Sequence, residues 1–189
     1  MKKIVTIIFL GLTVMQFIGC SSSSQSLIKT DSEYSQVMNL FDKLVDKSDI
    51  VGVGIAPPNR GDDIALQESE AMAIARARIS NVVETKVINS LGKYARETGI
   101  KDNQDFIRDV HNATINKTKN TIRGAKVIKR VEGKSGKIYV LMALKTQEVI
   151  NALKNSVDNI KNKEVKIQYQ RFLSDKNLKE LEKELGYDK

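Results

Sequence analysis

The chain carries one thiol, Cys20, and one imidazole, His111, among its 189 residues. A single cysteine excludes an internal disulfide framework and any multi-cysteine metal centre. A single histidine leaves too few ligands for a histidine-built zinc site. His111 stands in Arg108-Asp109-Val110-His111, on the polar surface of an expected helix, and Asp109 lies two positions away, off its face. A solvent-exposed histidine is therefore expected there. No nucleophile, base and orienting group converge in the pattern, so no catalytic residue is assigned. Gly52-Val53-Gly54 lacks the third glycine of a dinucleotide loop, because position 57 is Pro57. Glycines that let a strand lie close under a helix are the expectation instead. Gly61-Asp62-Asp63 reads as a turn into a helix cap, not as a calcium loop. No metal and no cofactor are expected.

Cys20 has a different context. Met1-Lys2-Lys3 precedes an almost unbroken apolar run from Ile4 to Ile18, which ends at Gly19-Cys20. A positive start, a short apolar stretch and a small residue before a cut describe a secretory signal. The run is shorter than the roughly 20 residues that a membrane-spanning helix needs. Phe17-Ile18-Gly19-Cys20 resembles the lipobox of bacterial lipoproteins, with Phe17 where leucine is usual. That resemblance implies signal cleavage between Gly19 and Cys20, and a diacylglycerol on the Cys20 thiol with fatty-acyl chains such as palmitate. Ser21-Ser22-Ser23-Ser24-Gln25-Ser26 then reads as a tether, too poor in apolar surface to pack. Ser21, in place of the aspartate that marks inner-membrane retention, points to the outer membrane of a two-membrane cell. Cleavage would remove Lys2 and Lys3 and no acid, lowering the formal charge of +8 by two.

The elements that follow alternate helix and strand patterns. Apolar spacings of three and four over residues 31–47 (Tyr34, Val37, Met38, Leu40, Phe41, Leu44, Val45) predict a short amphipathic helix capped by Asp31 or Ser32. Residues 50–56 read as a buried strand, closed by the turn Pro57-Pro58-Asn59-Arg60-Gly61. From Asp62 or Asp63 to about Tyr94 the pattern is helical. Its stripe runs through Met72, Ala75, Ile79, Val82 or Val83, Val87 and Leu91, and Arg76 or Arg78 is expected to pair with Glu70 or Asp62. A second helix is expected over residues 103–118, with Phe106, Val110 and Ala113 inward and Gly99 closing the helix before it. The sequons at Asn112 and Asn116 fall in this segment and are expected to be incidental. Residues 125–131 alternate as a strand, and after a loop with Gly133 and Gly136 the apolar strand 137–144 completes a hairpin. Thr146 is expected to cap a long last helix carrying Val149 or Ile150, Leu153, Val157 and Ile160. Beyond residue 160 charges of both signs intermix, and Leu178, Leu181 and Leu185 briefly restore an apolar stripe.

The order of these features resembles the LPP-twenty family of membrane-associated bacterial lipoproteins. The resemblance rests on the lipobox, the strand ending Gly52-Val53-Gly54-Ile55-Ala56, the helix Glu70-Ala71-Met72-Ala73-Ile74-Ala75-Arg76-Ala77-Arg78-Ile79, and the hairpin strand Lys137-Ile138-Tyr139-Val140-Leu141-Met142-Ala143-Leu144. Such a resemblance implies an α+β fold with helices on one small antiparallel sheet. It also implies a non-enzymatic outer-membrane lipoprotein, some of whose relatives serve flagellar motility.

The expected organisation is a signal peptide over 1–19, a lipidated tether over 20–30, an α+β domain over 31–160 and a helical tail over 161–189. The expected function is structural or interactive within the cell envelope, anchored in the outer membrane through the lipid on Cys20 and facing the periplasm or the cell surface. Self-association or envelope proteins are the expected partners. The alternatives are a motility component at the flagellum and a periplasmic module binding a small ligand. A nucleic-acid partner is not expected, since Lys126-Val127-Ile128-Lys129-Arg130 alternates with apolar positions and lacks aromatic platforms. Mild attraction to anionic head groups is the better use of the charge.

Overall fold

Two glycines decide how closely the longest helix lies against the sheet. A computed structural model describes residues 32–61, 63–174 and 176–186, and residues 31–189 belong to one compact unit. The elements are α1 (Ser32–Asp42), β1 (Asp49–Ala56), α2 (Ile64–Thr98), α3 (Asn103–Arg123), β2 (Lys126–Glu132), β3 (Ile138–Lys145), α4 (Thr146–Lys154), a 3-10 turn (Val157–Asn159), α5 (Lys163–Ser174) and α6 (Lys176–Leu185). The fold is α+β, with a three-stranded antiparallel sheet in the order β1-β3-β2.

The central strand β3 is buried from Ile138 to Leu144, which explains its continuous apolar run. Tyr139 and Leu141 join Val53 of β1 and Val37 and Phe41 of α1 in one apolar cluster. Ile138, Val140, Met142 and Leu144 face the larger core, with Ala71, Ala75, Ile79 and Val83 of α2. A Cβ at Gly52 would overlap the Ala75 carbonyl oxygen and come within 2.9 Å of Ile79 Cγ1. A Cβ at Gly54 would overlap the Ala71 carbonyl and lie 2.9 Å from the Ala75 amide nitrogen. The expected close approach of strand and helix is thus present, built from Gly on one side and Ala on the other.

Capping sets the ends of α2. Asp63 Oδ1 accepts from the Leu66 amide at 3.0 Å, as an N-cap should. At the other end Gly99 is left-handed (φ 68°), and the amides of Gly99 and Ile100 return to the carbonyls of Arg96 and Ala95. Buried Gln67 donates to Ala56 O at 3.1 Å and to Gly136 O at 2.7 Å, stitching the first turn of α2 to β1 and to the hairpin loop. Val83, not Val82, is the buried member of the stripe. Arg78 is exposed, and the Arg76 Nε is buried without a hydrogen-bond partner, so neither shows the expected ion pair with Glu70. Asp31 and Asp62 lie outside the described residues.

The last helix departs from expectation. Thr146 opens α4 without capping it, its hydroxyl buried and unpartnered, and Lys145 takes the N-cap position. The helix stops at Lys154 because the Leu153 carbonyl is taken by other donors. Ser156 Oγ reaches it at 2.6 Å, the Ser156 amide at 3.2 Å and the Tyr169 hydroxyl at 3.0 Å. Residues beyond 160 then form α5 and α6 and enter the main core through Val165, Tyr169, Phe172, Leu178, Leu181 and Leu185. Tyr94 of α2 meets Phe172 edge-on at 5.5 Å between ring centres and Phe106 of α3 at 6.1 Å.

Burial pushes the Tyr169 phenol up to about 12, against the opposing effect of the nearby Ser156 hydroxyl. The folded chain therefore keeps this proton between its ordinary value of 10.0 and about 12, where the unfolded chain loses it. Stability held below pH ~10 is expected to fall by about 2–3 kcal/mol as the pH rises through 12. Urea unfolding at stepped alkaline pH checks this, and Tyr169→Phe is expected to flatten that part of the profile.

Candidate functional site

Gly19 and Cys20, the site residues read from the sequence, lie outside the described residues, as do Lys2, Lys3 and the serine run. Among the described residues no group of His, Cys, Asp and Glu is arranged to hold a metal ion, and no helix is long and apolar enough to cross a membrane.

His111 is not solvent-exposed as expected. It is half-buried, with Nε2 3.1 Å from Glu84 Oε1 on α2. The partner is on another helix, 27 residues earlier, where helical spacing along α3 gives no signal. The pair spans a groove between α2 and α3, floored by Val83, Val87, Ile115 and Ile122. The free volume of that groove is about 30 Å³, room for a water molecule and far below the several hundred Å³ of organic-ligand sites. Thr114 Oγ1 in the same groove donates to the His111 carbonyl at 3.1 Å. The pair therefore ties two helices together.

A second constellation joins the first turn of α1 to the hairpin. Glu33 Oε2 accepts from the Ser135 amide at 3.0 Å. Its Oε1 accepts from Ser135 Oγ at 2.7 Å and from the Tyr139 hydroxyl at 2.9 Å. A Cβ at Gly133 would overlap the Glu33 carboxylate, so glycine there lets the carboxylate lie against the loop without shifting. Sequence reasoning missed Glu33, because its partners lie more than 100 residues away and no periodicity links them. The result fixes the beginning of the described chain beside the tip of the hairpin.

The third feature is the outer strand β2. Among the described residues its backbone pairs with β3 alone, and the register slips between Val127 and Lys129, leaving Ile128 as a bulge. The alternation expected for this strand is broken there. Val127 and Ile128 are 43% and 41% exposed instead of entering the core. The cause is the Gly–Ala contact, which draws α2 over β1 and β3 and leaves β2 overhanging. Arg130 is held by Glu68 of α2 at 3.1 Å. Lys126, Lys129 and Lys134 are exposed, and residues 117–137 contain eight Lys or Arg against the single acid Glu132. Most of the chain's formal excess of positive charge thus sits in α3's last turns and the hairpin. Elsewhere several cations are paired, among them Lys93 with Glu180, Lys145 with Asp49 and Lys166 with Asp158. Hydrogen bonds that the Lys145 ammonium donates to Asp49 and then to Asp46 raise it above its ordinary range, and Glu180 on α6 does the same for Lys93 on α2.

The described residues form an α+β domain with a small α2–α3 groove and one basic, partly apolar sheet edge. The chain matches no protein-family model, no curated protein and no solved structure.

Proposed function

We propose that this chain is a lipid-anchored lipoprotein of the bacterial envelope, resembling the LPP-twenty type, whose domain serves structure or interaction and not catalysis. The observation that carries the reading is Phe17-Ile18-Gly19-Cys20, placed after a lysine-led apolar run and before a serine tether. A thiol that becomes the new terminus is the nucleophile that lipid attachment needs, and it accounts for the chain's single cysteine. Two or more acyl chains make such an attachment stable where one is marginal. The outer membrane is the expected address, since Ser21 follows the cysteine. The compact unit starting at residue 31 is consistent with a domain carried beside a bilayer.

Fractionation and lipid labelling test the anchor. With Cys20→Ser, incorporation of labelled palmitate is expected to disappear, and the protein is expected to leave the membrane fraction or accumulate uncleaved. A mutant that still takes up label and still sediments with membranes as processed protein would overturn the reading.

A further inference from the structure

We infer that the free edge of β2, with the basic segment 117–137 around it, docks on an anionic bilayer surface. The inference deepens the lipid-anchored reading and rests on it for the presence of a bilayer.

The edge carries two kinds of side chain together. Val127 and Ile128 are an exposed aliphatic pair, flanked directly by the exposed Lys126 and Lys129. Lys119 and Arg123 precede them at the end of α3, and Lys134 follows at the hairpin tip, all exposed. Small apolar groups ringed by cations suit the boundary between head groups and acyl chains, where lysine stems lie against apolar surface while their ammonium groups meet phosphate.

Two alternative occupants fit less well. Pairing with a second copy of β2 would bring two strands each bearing Lys126, Lys129 and Arg130 together. Adding any other strand would meet the bulge at Ile128, where the ladder is already broken; bulges and lysines are devices that protect edges from strand addition. A flat anionic surface needs no ladder.

The position of the chain's entry supports the same face. Glu33 is hydrogen-bonded to Ser135, so the domain begins at the loop from which β2 descends. Twelve residues lie between Cys20 and Glu33, thirteen Cα-to-Cα steps. These steps span at most about 45 Å. A lipid on Cys20 therefore limits how far the hairpin end can stand from the bilayer and raises its effective concentration at that surface.

The test uses protein beginning at Ser21, without lipid, so that it fails or succeeds independently of acylation; this chain retains all of the compact unit 31–189. Vesicles of phosphatidylcholine alone and of phosphatidylcholine with phosphatidylglycerol at three to one are sedimented with the protein. Binding is expected to the anionic vesicles only and to weaken as salt is raised. The double variant Lys126→Glu/Lys129→Glu is expected to bind about thirtyfold more weakly. Lys154→Glu/Lys161→Glu, with the same change in net charge on exposed positions elsewhere, is expected to lose much less. Far-UV circular dichroism confirms that both variants are folded. A solvatochromic dye on Ile128→Cys is expected to shift to the blue on anionic vesicles, and the same dye on Lys154→Cys is not. Equal loss in the two double variants, no binding, or no dye shift at position 128 overturns the proposal. So does capture by a soluble polyanion such as polyglutamate or duplex DNA without retention on vesicles. Loss of acylation in Cys20→Ser with intact vesicle binding would confirm the two readings separately.

Discussion

Gly54→Ala is expected to prevent the native packing of the sheet under α2. The added methyl would overlap the Ala71 carbonyl oxygen and lie 2.6 Å from its carbon. Those atoms belong to helix backbone, so no side-chain rotation can relieve the contact. Either α2 lifts from the sheet or β1 is displaced from β3. Lifting α2 would open the interface of Ala71, Ala75 and Ile79 with Val140 and Met142, all fully buried. Overpacking a core usually costs about 1–3 kcal/mol, and a backbone clash lies at or above the upper end of that range. Against a total stability of about 5–15 kcal/mol, this is a large fraction. Urea unfolding of the chain from Ser21 is the measurement. The midpoint is expected to drop steeply, or the cooperative transition to be lost. Gly61→Ala is the control, because nothing lies within 4 Å of a Cβ there, and it is expected to change stability by less than about 0.5 kcal/mol. An unchanged midpoint in Gly54→Ala would contradict the described contact.

Phe172→Ala carries the second large effect. Phe172 is fully buried, edge-on to Tyr94 of α2 and stacked with Tyr169 at 6.0 Å between ring centres. Its removal takes one ring from an aromatic chain that joins α2, α3 and α5. Truncating a buried phenylalanine typically costs about 3–5 kcal/mol, part of it from the cavity left behind. The loss is expected across the whole cooperative transition, not in a separate low-temperature step, because Phe172 shares its core cluster with Leu91, Tyr94 and Phe106. Calorimetry distinguishes the two cases. A separate transition for residues beyond 160, with the main transition unmoved, would mean that α5 and α6 are an independent appendage.

Local rules account for much of what was legible beforehand. The strand at residues 50–56, the Asp63 cap, the Gly99 stop and the hairpin around Gly133 and Gly136 each depend on backbone preferences of a few neighbouring residues. The same reasoning failed at Thr146 and at the end of α4, where a hydroxyl from Tyr169, sixteen residues on, occupies the carbonyl that would continue the helix. It also failed at His111, whose Glu84 partner depends on how α2 and α3 lie side by side. Helix α3 runs to Arg123, five residues past its expected end, because Ile122 finds buried space that no local pattern records.

The sequence alone determined the α+β class, the order of helices and strands up to residue 145, and the residues on which the anchor proposal rests. Cys20, Gly19 and the lysine-led apolar run are readable because they are contiguous. Only the tertiary structure decided which charges stand exposed beside apolar side chains. The linear sequence already crowds eight cations into residues 117–137, but it does not say what covers the strand that bears them. The Gly–Ala contact set α2 over β1 and β3, exposed β2, and left Val127 and Ile128 among its lysines. Exposure depends on what covers a strand, and the covering helix here is placed by two absent side chains at Gly52 and Gly54.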